Sequence, residues 1–209
     1  MIQRFFSNST GILLLFPLFL LGACSTSPPK NINNTCDIFD DKTYWYQATK
    51  DSYERWGVPI HVQLAIIHQE SRFKYDAKPE MQYFLWIIPI GRKSNAYGYA
   101  QVKDETWDWY IEKSGHRGAD RDEFEDAVDF IGWYGNYTYK TLGVSKWDAY
   151  NQYLAYHEGH GGFKSKSYVK KPWLMSVAKK VKTRAQRYRA QLATCQAELD
   201  SRWHFWPFF

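Results

Sequence analysis

Cysteine is scarce: the 209-residue chain has three, too few for a disulfide-dense scaffold or a four-thiolate zinc site. No glycine-rich phosphate loop with a following lysine occurs, so nucleotide hydrolysis has no support. There is one long apolar run, near the N-terminus, which excludes a polytopic membrane protein. Internal repeats and strands alternating with helices are missing, so a parallel sheet is not expected. Acid is the minority charge, with 22 Asp and Glu against 27 Lys and Arg and a net charge of +5. At 44% hydrophobic and 23% charged residues, the chain has the composition of a folded domain with short extensions.

Aromatic residues, by contrast, are abundant: 19% of the chain, with 10 Trp and 16 Tyr. Two readings follow. The rings fill a Trp-rich core, or some line a groove and stack on sugars or bases.

The N-terminus reads as an address. Arg4 precedes an apolar stretch over residues 11–21, the layout of a secretory signal. Its length and Pro17 argue against a membrane span. It ends in Leu21-Gly22-Ala23-Cys24, which resembles a bacterial lipobox. That resemblance implies a signal over residues 1–23, lipid on Cys24, and membrane attachment through it. Ser25 in place of Asp implies sorting to the outer membrane, facing the periplasm. Residues 24–36 form a tether rich in Ser, Pro and Asn. With Cys24 lipidated, Cys36 and Cys195 remain. An exported chain is expected to pair them, with two free thiols as the alternative. Closure of so long a loop stabilises by about 4–5 kcal/mol on the chain-entropy argument.

Most of the rest reads as helix. Helices are expected over residues 41–56, from Pro59 to about 74, over 104–114, 122–141, 147–156 and 172–199, with stops at Gly57, Gly115, Gly143 and the glycine cluster 159–162. Pro59 suits a first helical turn. Residues 81–90 are apolar and aromatic with Pro89 among them, so a loop or hairpin is expected. The class is mainly α, with a domain over 37–200 and an aromatic tail over 201–209.

The chemistry-bearing residues fall in three short blocks. Glu70 follows Ile66 and Ile67 by one turn, so it continues an apolar edge. A carboxyl group there can be partly desolvated, which would raise its pKa and keep a proton available near neutral pH; taken alone, a solvated helix-end residue is the other reading. The blocks read Glu70-Ser71, Gly98-Tyr99-Ala100-Gln101, and Ala155-Tyr156-His157-Glu158-Gly159. In order and spacing they resemble the catalytic blocks of the lytic transglycosylase SLT domain, a goose-type-lysozyme-like fold. In that family they read Glu-Ser, Gly-Leu-Met-Gln and Ala-Tyr-Asn-Ala-Gly. The resemblance implies a lysozyme-like helical domain with a catalytic cleft, acting on peptidoglycan glycan strands without a cofactor or metal. It implies Glu70 as the catalytic residue, with Ser71, Gly98, Tyr99, Gln101, Tyr156 and His157 binding substrate. Tyr156 is expected to hydrogen-bond near Glu70, and Gly98 to let backbone approach the sugar. Tyr99-Ala100 and His157-Glu158 depart from the family pattern, and residues 81–93 look like an insertion, which marks a divergent branch.

Three competing readings stand beside this. Glu158 is a possible second carboxylate, which would make the enzyme a hydrolytic muramidase; a structural pairing is its other role. A second reading is a non-catalytic wall-binding lipoprotein. The run from His157 to His160, with His68, invites a zinc site, but the histidine spacing is not the i, i+4 of zinc proteases. From Lys164 to Arg189 there are ten Lys or Arg and no acid. The stripe suits a solvated helix face or a wall polyanion, and after export nucleic acid is not an expected partner. A monomer is expected.

Overall fold

The computed structural model describes residues 27–204. The signal, Cys24 and the last five residues of the aromatic tail lie outside them. Helices dominate, as the periodicity implied. The first are α1 (Thr35–Asp41), α2 (Thr43–Trp56) and α3 (Ile60–Glu70). A two-stranded antiparallel hairpin follows, β1 (Met81–Phe84) and β2 (Ile88–Arg92). Then come α4 (Asp104–Ser114), α5 (Phe124–Leu142), α6 (Ala149–Lys164) and α7 (Pro172–His204).

Several boundaries differ from expectation: α3 ends at Glu70 rather than near residue 74, and α7 runs on to His204. An extra helix, α1, precedes α2; the Asn34 side chain caps it by accepting from the Cys36 N–H at 3.0 Å. The fifth expected helix does not end before Gly159. Gly159 takes φ 73° and ψ 162°, and the helix resumes after it, so α6 is kinked rather than stopped.

Helix α3 is the centre of the fold. Every residue from Ile60 to His68 is buried, which a helix achieves only when packed on all sides. It lies against α7, α5, α2 and α6. Much of the aromatic content goes into this core. Trp45 stacks on Phe124 with centroids 3.7 Å apart, and Phe73 and Tyr99 close round the same indole. A second cluster joins Trp107, Tyr110, Phe130 and Trp133.

A buried carboxylate ties three helices together. Asp129 of α5 accepts from the Trp56 indole N–H at 2.7 Å and from the Tyr110 hydroxyl at 2.7 Å, with Arg55 at 3.4 Å. Cys36 and Cys195 form a disulfide that joins α1 to α7 across 159 residues. Along α7 the buried positions Leu174, Ala178, Val181, Ala185, Tyr188 and Leu192 recur every three or four residues. Lys179, Lys180, Lys182, Arg187 and Arg189 face solvent. Among the described residues no helix is long and apolar enough to cross a membrane.

Candidate active site

The packing of α3 decides where Glu70 sits. It is the last residue of the helix, after nine buried positions. The chain then turns sharply, with Arg72 and Phe73 at φ 54° and 63°. Glu70 therefore stands at the edge of the core and lines a cleft of about 440 Å³. Gln101, Phe130, Tyr134, Tyr156, His157 and Glu158 line the same cleft.

Burial pushes the Glu70 carboxyl up to about 7 from an ordinary 4.5. The negative end of α3 disfavours a carboxylate in the same direction. One side chain opposes the shift: the nearby Tyr153 hydroxyl, which favours the ionised form. The result is a carboxyl group that takes and gives a proton near neutral pH.

The second block supplies a rigid turn. Gly98 has φ 76°, and a Cβ there would meet the Arg121 carbonyl oxygen at 2.0 Å. The Gly98 N–H donates to Ala77 O and the Tyr99 N–H to Arg121 O. Glycine is thus needed for contact with the chain's own backbone; Gly98 does not line the cleft. Tyr99 does not line it either. It is buried edge-on against Trp45 and Phe124, where a bulky ring replaces the family's Leu and fills core. Gln101 does reach the cleft. Its Nε2 donates to Ala77 O at 2.7 Å and to Gly98 O at 3.0 Å. Both amide hydrogens are then engaged, which leaves the amide oxygen as the group Gln101 can offer a ligand.

Ser71, the other half of the first block, is buried and back-bonded. Its hydroxyl donates to Ile67 O at 3.3 Å, and it does not line the cleft. The third block lines the cleft from Tyr156 to Gly159. The Tyr156 hydroxyl donates to Ala100 O at 2.5 Å, so it clamps the Gly98–Gln101 turn onto α6. The phenol that acts on the Glu70 proton is Tyr153, three residues earlier on the same face. Motif matching missed Tyr153 because it precedes the block; the i, i+3 relation to Tyr156 was the available signal.

His157 lines the cleft, packs edge-on against Trp173, and lies 3.2 Å from Glu158. Glu158 is anchored. Its side chain is 3% exposed; Lys171 Nζ meets its two oxygens at 2.8 and 3.1 Å, and the Ser167 hydroxyl donates to it. Burial raises its pKa, but the hydrogen bonds from Lys171, Ser167 and His157 outweigh this and hold it below the usual carboxylate value. The three histidines considered for zinc go separate ways. His160 bonds Thr138 and stacks on Tyr134, and His68 packs on Phe73 and Tyr188. Among the described residues no three His, Cys, Asp or Glu side chains gather to hold a metal ion.

A family model described as "Transglycosylase SLT domain" matches residues 12–195. No curated protein matches the chain.

Proposed function

We propose, from the premise that this chain belongs to the transglycosylase SLT domain family, that it cleaves the β-1,4 bond between N-acetylmuramic acid and N-acetylglucosamine in peptidoglycan, with Glu70 as general acid and then general base. The observation that carries the reading is a partly desolvated carboxyl, with its pKa near 7, in a cleft of about 440 Å³. Protonated Glu70 gives its proton to the bridging oxygen as the bond to C1 breaks through an oxocarbenium-like state. The muramic C6 hydroxyl then attacks C1 and returns its proton to Glu70. The product is a 1,6-anhydro sugar, and the acid is regenerated without water.

This chemistry needs one carboxyl with an adjustable proton, and the cleft supports that number. Glu158 is held charged by Lys171 and Ser167, two partners a water-activating base does not need. The Gln101 oxygen, fixed by its engaged amide hydrogens, suits the N–H of an acetamido group. Tyr156 holds the turn that carries Gln101, and His157 offers a further polar contact. The export reading extends the proposal: lipid on Cys24 would tether the enzyme to the outer membrane beside its substrate.

The test is digestion of purified peptidoglycan with product masses read by mass spectrometry. Anhydro-ended fragments are expected. Reducing ends would instead identify a hydrolase, and wall retention without soluble fragments a binding protein. Glu70→Gln should bind the wall and release nothing; full release by that variant would remove the assignment.

A further inference from the structure

The hairpin formed by β1 and β2 buries nothing. All nine of its strand residues are exposed on both faces. So are Leu85, Trp86 and Ile87 at its tip, where Trp86 is 95% exposed. A two-stranded hairpin in water is marginal without a third element to pack on. Here the bare positions are Tyr83, Phe84, Leu85, Trp86, Ile87, Ile88 and Ile90, residues that water disfavours. The tip also holds Leu85 and Trp86 at φ 48° and 66°, a conformation normally left to Gly and Asn. Two large apolar side chains occupy that turn at a conformational cost, and both stand largely exposed.

Charge is partitioned along the same segment. Residues 81–91 carry none. At the neck, the residues at or next to the strand ends carry Lys78, Arg92 and Lys93, all exposed, against Glu80. An uncharged apolar tip with a tryptophan, above a collar of cations, is the arrangement of an element that enters a lipid interface and meets phosphate at its base. Two alternatives fit less well. A flat protein surface covers one face of a hairpin and leaves the other wet, whereas a bilayer surrounds both. A second copy of this chain would bring a second cationic collar against the first.

We propose that the hairpin over residues 81–92 inserts its tip into the headgroup region of an anionic phospholipid bilayer, with the neck cations on the lipid phosphates. Insertion is shallow, because each strand has one edge whose backbone groups need water or headgroups as partners. Ser94 and Ala96, just beyond the hairpin, line the Glu70 cleft. The docked tip would therefore hold the cleft mouth beside the membrane surface. This contact is separate from lipid on Cys24 and does not rest on the chemistry of the cleft.

The test uses the full chain carrying Cys24→Ser and Trp86→Cys, with an environment-sensitive fluorophore on the thiol introduced at the tip; Cys36 and Cys195 are occupied by their disulfide. Vesicles of phosphatidylglycerol with phosphatidylethanolamine are compared with vesicles of phosphatidylcholine. A blue shift and quenching by lipid-borne quenchers, stronger on the anionic vesicles, is the expected result. Adding Leu85→Ser, Ile87→Ser and Ile88→Ser should weaken the response about a hundredfold. A probe that stays in water while the protein binds vesicles through other segments would overturn the proposal. So would equal shifts on both vesicle types, or a concentration-dependent shift without lipid, which would mark self-association.

Discussion

Replacing Glu70 by glutamine should separate the electrostatic cost of the carboxylate from its catalytic use. The carboxyl has a pKa of about 7 in the fold and an ordinary value of 4.5 when unfolded. Below pH 4.5 both states are protonated, and the residue contributes no pH-dependent term. Between 4.5 and 7 the unfolded chain releases its proton while the folded chain keeps it, so stability falls as pH rises. Above 7 the loss is complete, and the interval corresponds to about 3 kcal/mol. Glutamine has nearly the same shape and no charge to desolvate. Glu70→Gln should therefore match the parent near pH 4 and exceed it by about 3 kcal/mol at pH 8. Urea unfolding of both proteins across that range measures the difference, because titrations elsewhere cancel between them. Parallel stability curves would refute the claim that this carboxyl is desolvated, and the acid role argued from it. The same variant should be inactive on peptidoglycan at every pH, so the gain in stability and the loss of turnover test different steps.

Other substitutions probe the supports. Tyr153→Phe removes the hydroxyl that favours ionised Glu70. The Glu70 pKa should rise further, and the alkaline limb of the pH–rate profile on purified peptidoglycan should move to higher pH; an unmoved limb would dissociate the two residues. Gly98→Ala places a methyl group 2.0 Å from the Arg121 carbonyl at a positive φ. A loss of about 3 kcal/mol or more is expected in thermal or urea unfolding. Asp129→Ala leaves the Trp56 indole N–H and the Tyr110 hydroxyl without their carboxylate. It should destabilise by about 2–4 kcal/mol, and a loss below about 1 kcal/mol would show that water replaces the carboxylate freely.

The elements that were legible beforehand are those set by local pattern. Apolar spacing and glycine stops located α2, α4 and α5, and Pro89 within an apolar run marked the hairpin. Glu70 was legible only beside the other two blocks, because the helical turn before it allows burial without requiring it. Ser71, Gly98 and Tyr99 show the limit of reading a block as a unit. In the first two blocks one side chain lines the cleft while its neighbours are buried away from it, and the direction depends on long-range packing: Arg121 on Gly98, Trp45 on Tyr99. The anchoring of Glu158 depends on Lys171, which lies beyond the end of α6. Tyr153 escaped notice because its meeting with Glu70 joins two helices far apart in sequence. The aromatic excess was open to two readings, and the core takes most of it: Trp45, Trp107 and Trp133 are buried, and Phe130 and Tyr134 are core residues that also border the cleft.

The bridge between Cys36 and Cys195 encloses nearly the whole folded region, including the exposed tip at Trp86. Topologically the domain is a closed ring with two short ends. A protease that clips the tip opens the ring without releasing either fragment. The nicked protein would migrate as one species until a reductant separates its halves. A wound in the most vulnerable loop thus leaves both sides of the cleft, Glu70 before the cut and Gln101 after it, in a single covalent body.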